Sequence, residues 1–77
     1  MKDVCLVTVK ADTDCRISRV RTHDLDKLRY IAELGLVPGA EFRLLSSAPF
    51  RGPFRLRMTG EDHAVGYEVA GSLWVEV

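Results

Sequence analysis

Three stretches of this chain alternate apolar and polar residues at the period of a strand, and one repeats apolar residues at the period of a helix. Ala40, Phe42 and Leu44 alternate with Glu41 and Arg43, and Phe54, Leu56 and Met58 with Arg55 and Arg57. Near the end, Leu73, Val75 and Val77 alternate with Trp74 and Glu76. Each stretch predicts a strand with one apolar and one polar face. The helical pattern is Leu25, Leu28, Ile31, Ala32 and Leu34, with Asp24 placed to cap the first turn. Gly35 ends it, because glycine takes the left-handed conformation after a last turn. Pro38-Gly39 then sets a tight turn.

The remaining segments complete a mainly β reading. Val4 to Val9 is nearly continuous and β-branched, as in a strand or extended arm. Lys10 to Asp14 is a polar turn, and Cys15 to Arg21 is again β-like. The odd spacing of Ile17 and Val20 within it predicts a bulge or early strand end. Thr59 to Asp62 reads as a turn, His63 to Tyr67 as a strand, and Glu68 to Ser72 as a short connection. The fold class expected is mainly β with one or two short helices, a small, partly open barrel of the SH3 type.

Pairing the two charged strands as a hairpin constrains their register. The apolar faces must coincide, so Phe42 and Leu44 belong beside Leu56 and Phe54. The loop between them then places Glu41 opposite Arg57, and Arg43 opposite Arg55. Like charges side by side are mildly unfavourable unless an acidic group sits between them.

Size and composition narrow the function. Seventy-seven residues are expected to form a single domain over 1–77, close to the lower limit for a self-supporting core. Formal net charge is zero, which gives no general attraction to nucleic acid or acidic membranes. The charge is uneven, though: Arg43, Arg51, Arg55 and Arg57 stand without an acid among them, and Glu61, Asp62, Glu68 and Glu76 follow without Lys or Arg. No apolar run approaches the ~20 residues that span a bilayer. Cys5 and Cys15 form neither a CxxC pair nor a disulfide framework, as expected of free thiols in a reducing cytoplasm. No serine with an adjacent base, phosphate-binding glycine loop or paired carboxylate cleft supports an enzyme.

Taken in order, the helix, Leu34-Gly35-Leu36-Val37-Pro38-Gly39, a strand, Ala48-Pro49-Phe50-Arg51-Gly52-Pro53, a strand and Gly60 resemble the family of ferrous iron transport protein A, FeoA. The resemblance covers roughly residues 6 to 77. It implies an SH3-like fold and a cytosolic accessory role in ferrous iron uptake. The implied partner is the cytosolic part of the membrane GTP-dependent ferrous iron transporter, which the domain would regulate or assemble. Two positions depart from the family pattern: Arg51 replaces a glycine, and Gly66 stands where Ala64-Val65 would be followed by arginine.

The candidate sites are few. Phe50, Arg51, Arg43 and Arg55 offer the aromatic and guanidinium groups that anchor protein interfaces. Trp74 faces away from Leu73, Val75 and Val77, to be covered by the Val4–Val9 segment or by a second copy in a homodimer. Glu61 and His63 are the candidate ligands for weak Fe2+ binding, since imidazole and carboxylate together suit that ion. Leu34, Gly35, Leu36, Pro38 and Gly39 are read as a structural motif. The alternative function classes are a nucleic-acid-binding barrel and a stand-alone metal-binding regulatory domain. Strand alternation sends Phe54 inward, which leaves no base-stacking platform, so no nucleic acid is expected as partner.

Overall fold

In the computed structural model, which describes residues 3–77, six strands form one antiparallel sheet in the order β1-β6-β2-β3-β4-β5. They are β1 (Val4–Cys5), β2 (Thr13–Val20), β3 (Glu41–Ser47), β4 (Phe54–Met58), β5 (Glu61–Val65) and β6 (Leu73–Glu76). Two helices, α1 (Leu25–Glu33) and α2 (Tyr67–Ser72), accompany them. Cys15, Ile17, Phe42, Leu44, Phe54, Leu56, Val65, Leu73 and Val75 are all buried in one cluster. A sheet whose successive strands all feed one core must curl around it, which gives the small SH3-like barrel that the alternation predicts.

The first strand is shorter than its composition implies. Only Val4 and Cys5 pair, with Val75 and Trp74 of β6. Leu6–Thr8 then forms a 3-10 turn that drops Leu6 fully into the core, held by the Val9 amide donating to the Leu6 carbonyl at 3.0 Å. Burying Leu6 wins over continuing the ladder. The bulge expected in the second strand is present: β2 shifts register against β6 between Ile17 and Arg19.

The Leu34–Gly39 stretch is built as two linked turns. Asp24 caps α1 by accepting from the amides of Asp26 and Lys27. Gly35, at φ +86°, ends the helix, and the Leu36 amide donates back to the Ile31 carbonyl at 3.2 Å. A turn closed by the Ala40 amide on the Val37 carbonyl follows, with Gly39 at φ +92°. Two further backbone bonds join it to β2, from Gly39 to the Ile17 carbonyl and from Ile17 to the Ala40 carbonyl, both 2.8 Å. Leu36 is the buried plug, while Leu34 is half-buried.

The helix stripe is only partly used. Ile31 is buried and Leu34 half-buried, but Leu25, Leu28 and Ala32 are exposed. At about 100° per residue Ile31 and Leu34 share one side with Lys27, and only that side meets the barrel. Two more expectations need correction at the C-terminal end. The segment expected to be a strand to Tyr67 and then a connection stops pairing at Val65, and residues 67–72 form α2. Val77 does not join Leu73 and Val75 in the core but is exposed.

Candidate interaction surface

The β3–β4 hairpin carries most of the candidate residues, and its tip decides where they point. The Gly52 amide donates to the Pro49 carbonyl at 3.1 Å and Ala48 to Pro53 at 3.0 Å, which leaves Phe50-Arg51 as a two-residue turn. Both turn residues have positive φ, +57° and +60°, as a type I′ turn requires. Such a turn pairs Ser47 with Phe54, whereas the core pairs Leu44 with Leu56. The two registers differ by one residue, and a bulge at Leu45 absorbs it. Arg43 therefore stands opposite Arg57, not Arg55, and Glu41 lies opposite Arg16 of β2, not Arg57.

This register produces a charged row across four strands. Asp14 pairs with Arg43, Arg43 with Arg57, and Arg57 with Asp62. Arg43 Nη1 donates to Asp14 Oδ1 at 2.8 Å, and Arg57 Nε to Asp62 Oδ1 at 2.8 Å with Nη2 adding a bond to Oδ2 at 3.3 Å. The bond from Arg57 holds the Asp62 carboxyl below the usual carboxylate range, and the same pair lifts the Arg57 guanidinium further. Two of the four hairpin arginines are thus neutralised on the surface. Arg51 and Arg55 make no ion pair among the described residues.

Phe50 is 99% exposed, while Arg51 lies 5.5 Å above the ring of Tyr67 in α2. Tyr67 in turn packs against Phe54, with ring centroids 6.3 Å apart. Its part was hidden in the sequence, because it sits in a segment that reads as the end of a strand. Phe54 is buried, so its own ring is not offered for stacking bases.

Trp74 lies on the other side of the sheet order, half-buried. The Val4–Val9 segment reaches it only through Cys5, and two arginines supply further cover. Arg19 and Arg21 place their guanidinium carbons 4.9 and 5.4 Å from the ring centroid, and Cys5 pairs beside it. Asp3 steadies Arg19 at 2.9 Å and accepts a hydrogen bond from Ser18. The Ser18 bond, more than Arg19, lowers the pKa of Asp3.

Glu61 and His63 share one side of β5, with Oε2 and Nε2 3.9 Å apart. No third His, Cys, Asp or Glu joins them in a cluster among the described residues. Cys15 is buried beside Asp14, and desolvation first, with that carboxylate second, pushes its thiol pKa up to about 11. No helix among the described residues is long and apolar enough to cross a membrane.

With the barrel and its surface in place, comparison with known families decides the assignment. The FeoA domain model matches residues 4–77. This chain belongs to the FeoA domain family. A solved structure described as iron uptake regulatory protein (FeoA) is 25% identical, with a TM-score of 0.81 over 97% of this chain and 96% of its own. A FeoA-like protein from Clostridium acetobutylicum is also 25% identical, with a TM-score of 0.86 over all of this chain and 88% of its own. The same fold occurs inside a manganese-dependent transcriptional repressor, 22% identical, with a TM-score of 0.90 over 99% of this chain and 37% of its own. T. acidophilum IdeR, 26% identical, superposes on all of this chain with a TM-score of 0.87, although the chain spans only 35% of it. Curated proteins provide no match.

Proposed function

We propose that this FeoA domain is a non-catalytic accessory of ferrous iron uptake that binds the cytosolic part of the membrane GTP-dependent ferrous iron transporter. The observation that carries this reading is the family match over residues 4–77. The solved relative described as an iron uptake regulatory protein supports the iron-uptake part, since it shares both fold and length. The surface adds support for a protein partner. Arg51 and Arg55 are cations without an ion-pair partner among the described residues, and Phe50 is an apolar side chain left in water.

Regulation through contact fits this chain better than catalysis does. The core consumes the interior: its members come from every strand except β1 and from both helices. The functional groups are confined to the outer face and the turns. Tagged chain incubated with the detergent-solubilised transporter should retain it on the affinity resin, with and without guanine nucleotide. Failure to retain the transporter in any nucleotide state would remove the proposal.

A further inference from the structure

The hairpin tip is built against local preference. Type I′ turns favour Asn-Gly or Gly-Gly, since both central residues need positive φ. Here a phenylalanine and an arginine occupy them, at +57° and +60°. A side chain with a Cβ is disfavoured there, so the surrounding structure must impose the conformation. Pro49 and Pro53 bracket the turn, and the two backbone bonds across it close the ring. Gly52 leaves no room for more, since a Cβ there would overlap that of Ala48.

The strained turn is also braced from one side. Arg51 stacks on Tyr67, and Tyr67 leans on the buried Phe54, a chain of contacts from the core to the tip. The residue left without any cover is Phe50, at 99% exposure. Nothing in the fold gains from an aromatic ring held in water on a disfavoured backbone. An aromatic ring presented rigidly, with little conformational freedom to lose on binding, is what an interface anchor needs.

The charge around the tip identifies what receives it. From Phe42 to Gly60 the chain has four arginines and no acid. Arg43 and Arg57 are neutralised by Asp14 and Asp62, which leaves Arg51 and Arg55 to face a partner. We propose that Phe50 inserts into an apolar pocket on a protein partner whose rim carries carboxylates, with Arg51 and Arg55 meeting the rim. Tyr67 acts as a positioning residue that holds the tip. This rests on the transporter reading above and names the chemistry of its contact.

The test is a set of affinities for the soluble cytosolic domain of the transporter, measured by titration calorimetry on the full chain at two salt concentrations. Phe50→Ala should weaken binding about tenfold or more. Arg55→Gln should weaken it about threefold and flatten its salt dependence. Lys10→Gln, an exposed cation in another part of the fold, should leave it unchanged. Tyr67→Leu should lower affinity about threefold, and Tyr67→Phe, which keeps the ring under Arg51, should restore it. Melting temperature checks the fold of each variant, and Phe50→Ala removes no native contact. If the unaltered chain binds and Phe50→Ala binds within about twofold of it, the anchor is wrong and the transporter reading stands. If the unaltered chain does not bind the domain at all, the reading and the anchor fall together. Retention of the chain, but not of Phe50→Ala, on anionic lipid vesicles would overturn the protein pocket in favour of a membrane surface.

Discussion

Arg43 and Arg57 stand directly opposite each other across β3 and β4, and each is held by its own carboxylate, Asp14 and Asp62, at 2.8 Å. The pair would repel if either acid were lost. Like charges at facing positions destabilise a ladder, whereas an acid-base-base-acid row does not. The row also sets which arginines remain open to a partner.

A pH prediction follows from Asp62. Its carboxyl titrates below the ordinary value because Arg57 donates to it. A carboxyl with a depressed folded pKa adds stability that is present above its unfolded pKa and is lost as pH falls through the folded one. Melting temperature measured from about pH 6 to pH 2 should therefore fall less steeply below about pH 4 in Asp62→Asn than in the unaltered chain. Near neutral pH the variant should melt ~2 °C lower, a small effect because both groups are exposed. Parallel curves would show that the pair is not formed in solution.

The helix offers a contrast between two residues three positions apart. Ile31 is the one residue of α1 that is fully buried, and Leu28 is 39% exposed. Ile31→Ala should cost about 3 kcal/mol in urea unfolding. Leu28→Ala should cost less than about 1 kcal/mol. Equal losses would mean that the helix packs through its whole apolar stripe.

The two thiols should also separate. Cys15 is buried with its pKa pushed up to about 11, so very little thiolate is available at mild pH. Cys5 is only half-buried. Iodoacetamide at about pH 8 should label Cys5 well before Cys15, as read by peptide mass spectrometry. Equal labelling of native protein would contradict the packing around β2 and β3.

Trp74 is the only tryptophan, so fluorescence reports on one place. Removing one of its two guanidinium neighbours in Arg21→Ala should shift emission to the red and lower stability by about 0.5–1 kcal/mol. An unchanged spectrum would mean that Arg21 does not rest on the ring.

Much of this arrangement was legible in the sequence, and the failures have physical causes. The period-2 alternation located β3, β4 and β6, and Asp24 with Gly35 bounded α1 within a residue or so. The apolar faces of the hairpin do meet, at Leu44 and Leu56, but two residues off the expected register, and Phe54 pairs with Ser47. The offset was hidden because Phe50-Arg51 carries none of the composition of a type I′ turn, and because nothing in Leu45 announces a bulge. The helix α2 was missed for a similar reason. Six residues including Gly71 have no helical period to detect, and its formation depends on Ala70 and Ser72 being buried by the rest of the fold. Among the candidate sites, residue types were identified more readily than partners. Arg43 looked free until β2 supplied Asp14, and the cover of Trp74 was sought in the Val4–Val9 segment or a second copy, whereas Arg19 of β2 and Arg21 just after it also lie over the ring.

We propose that this FeoA domain binds the cytosolic part of the ferrous iron transporter. Titrating the chain into that purified domain, nucleotide-free and GTP-bound, measures it directly. The expected result is a saturable one-to-one complex in at least one nucleotide state. No detectable heat or complex up to about 100 µM protein in either state, with both proteins folded, would contradict it.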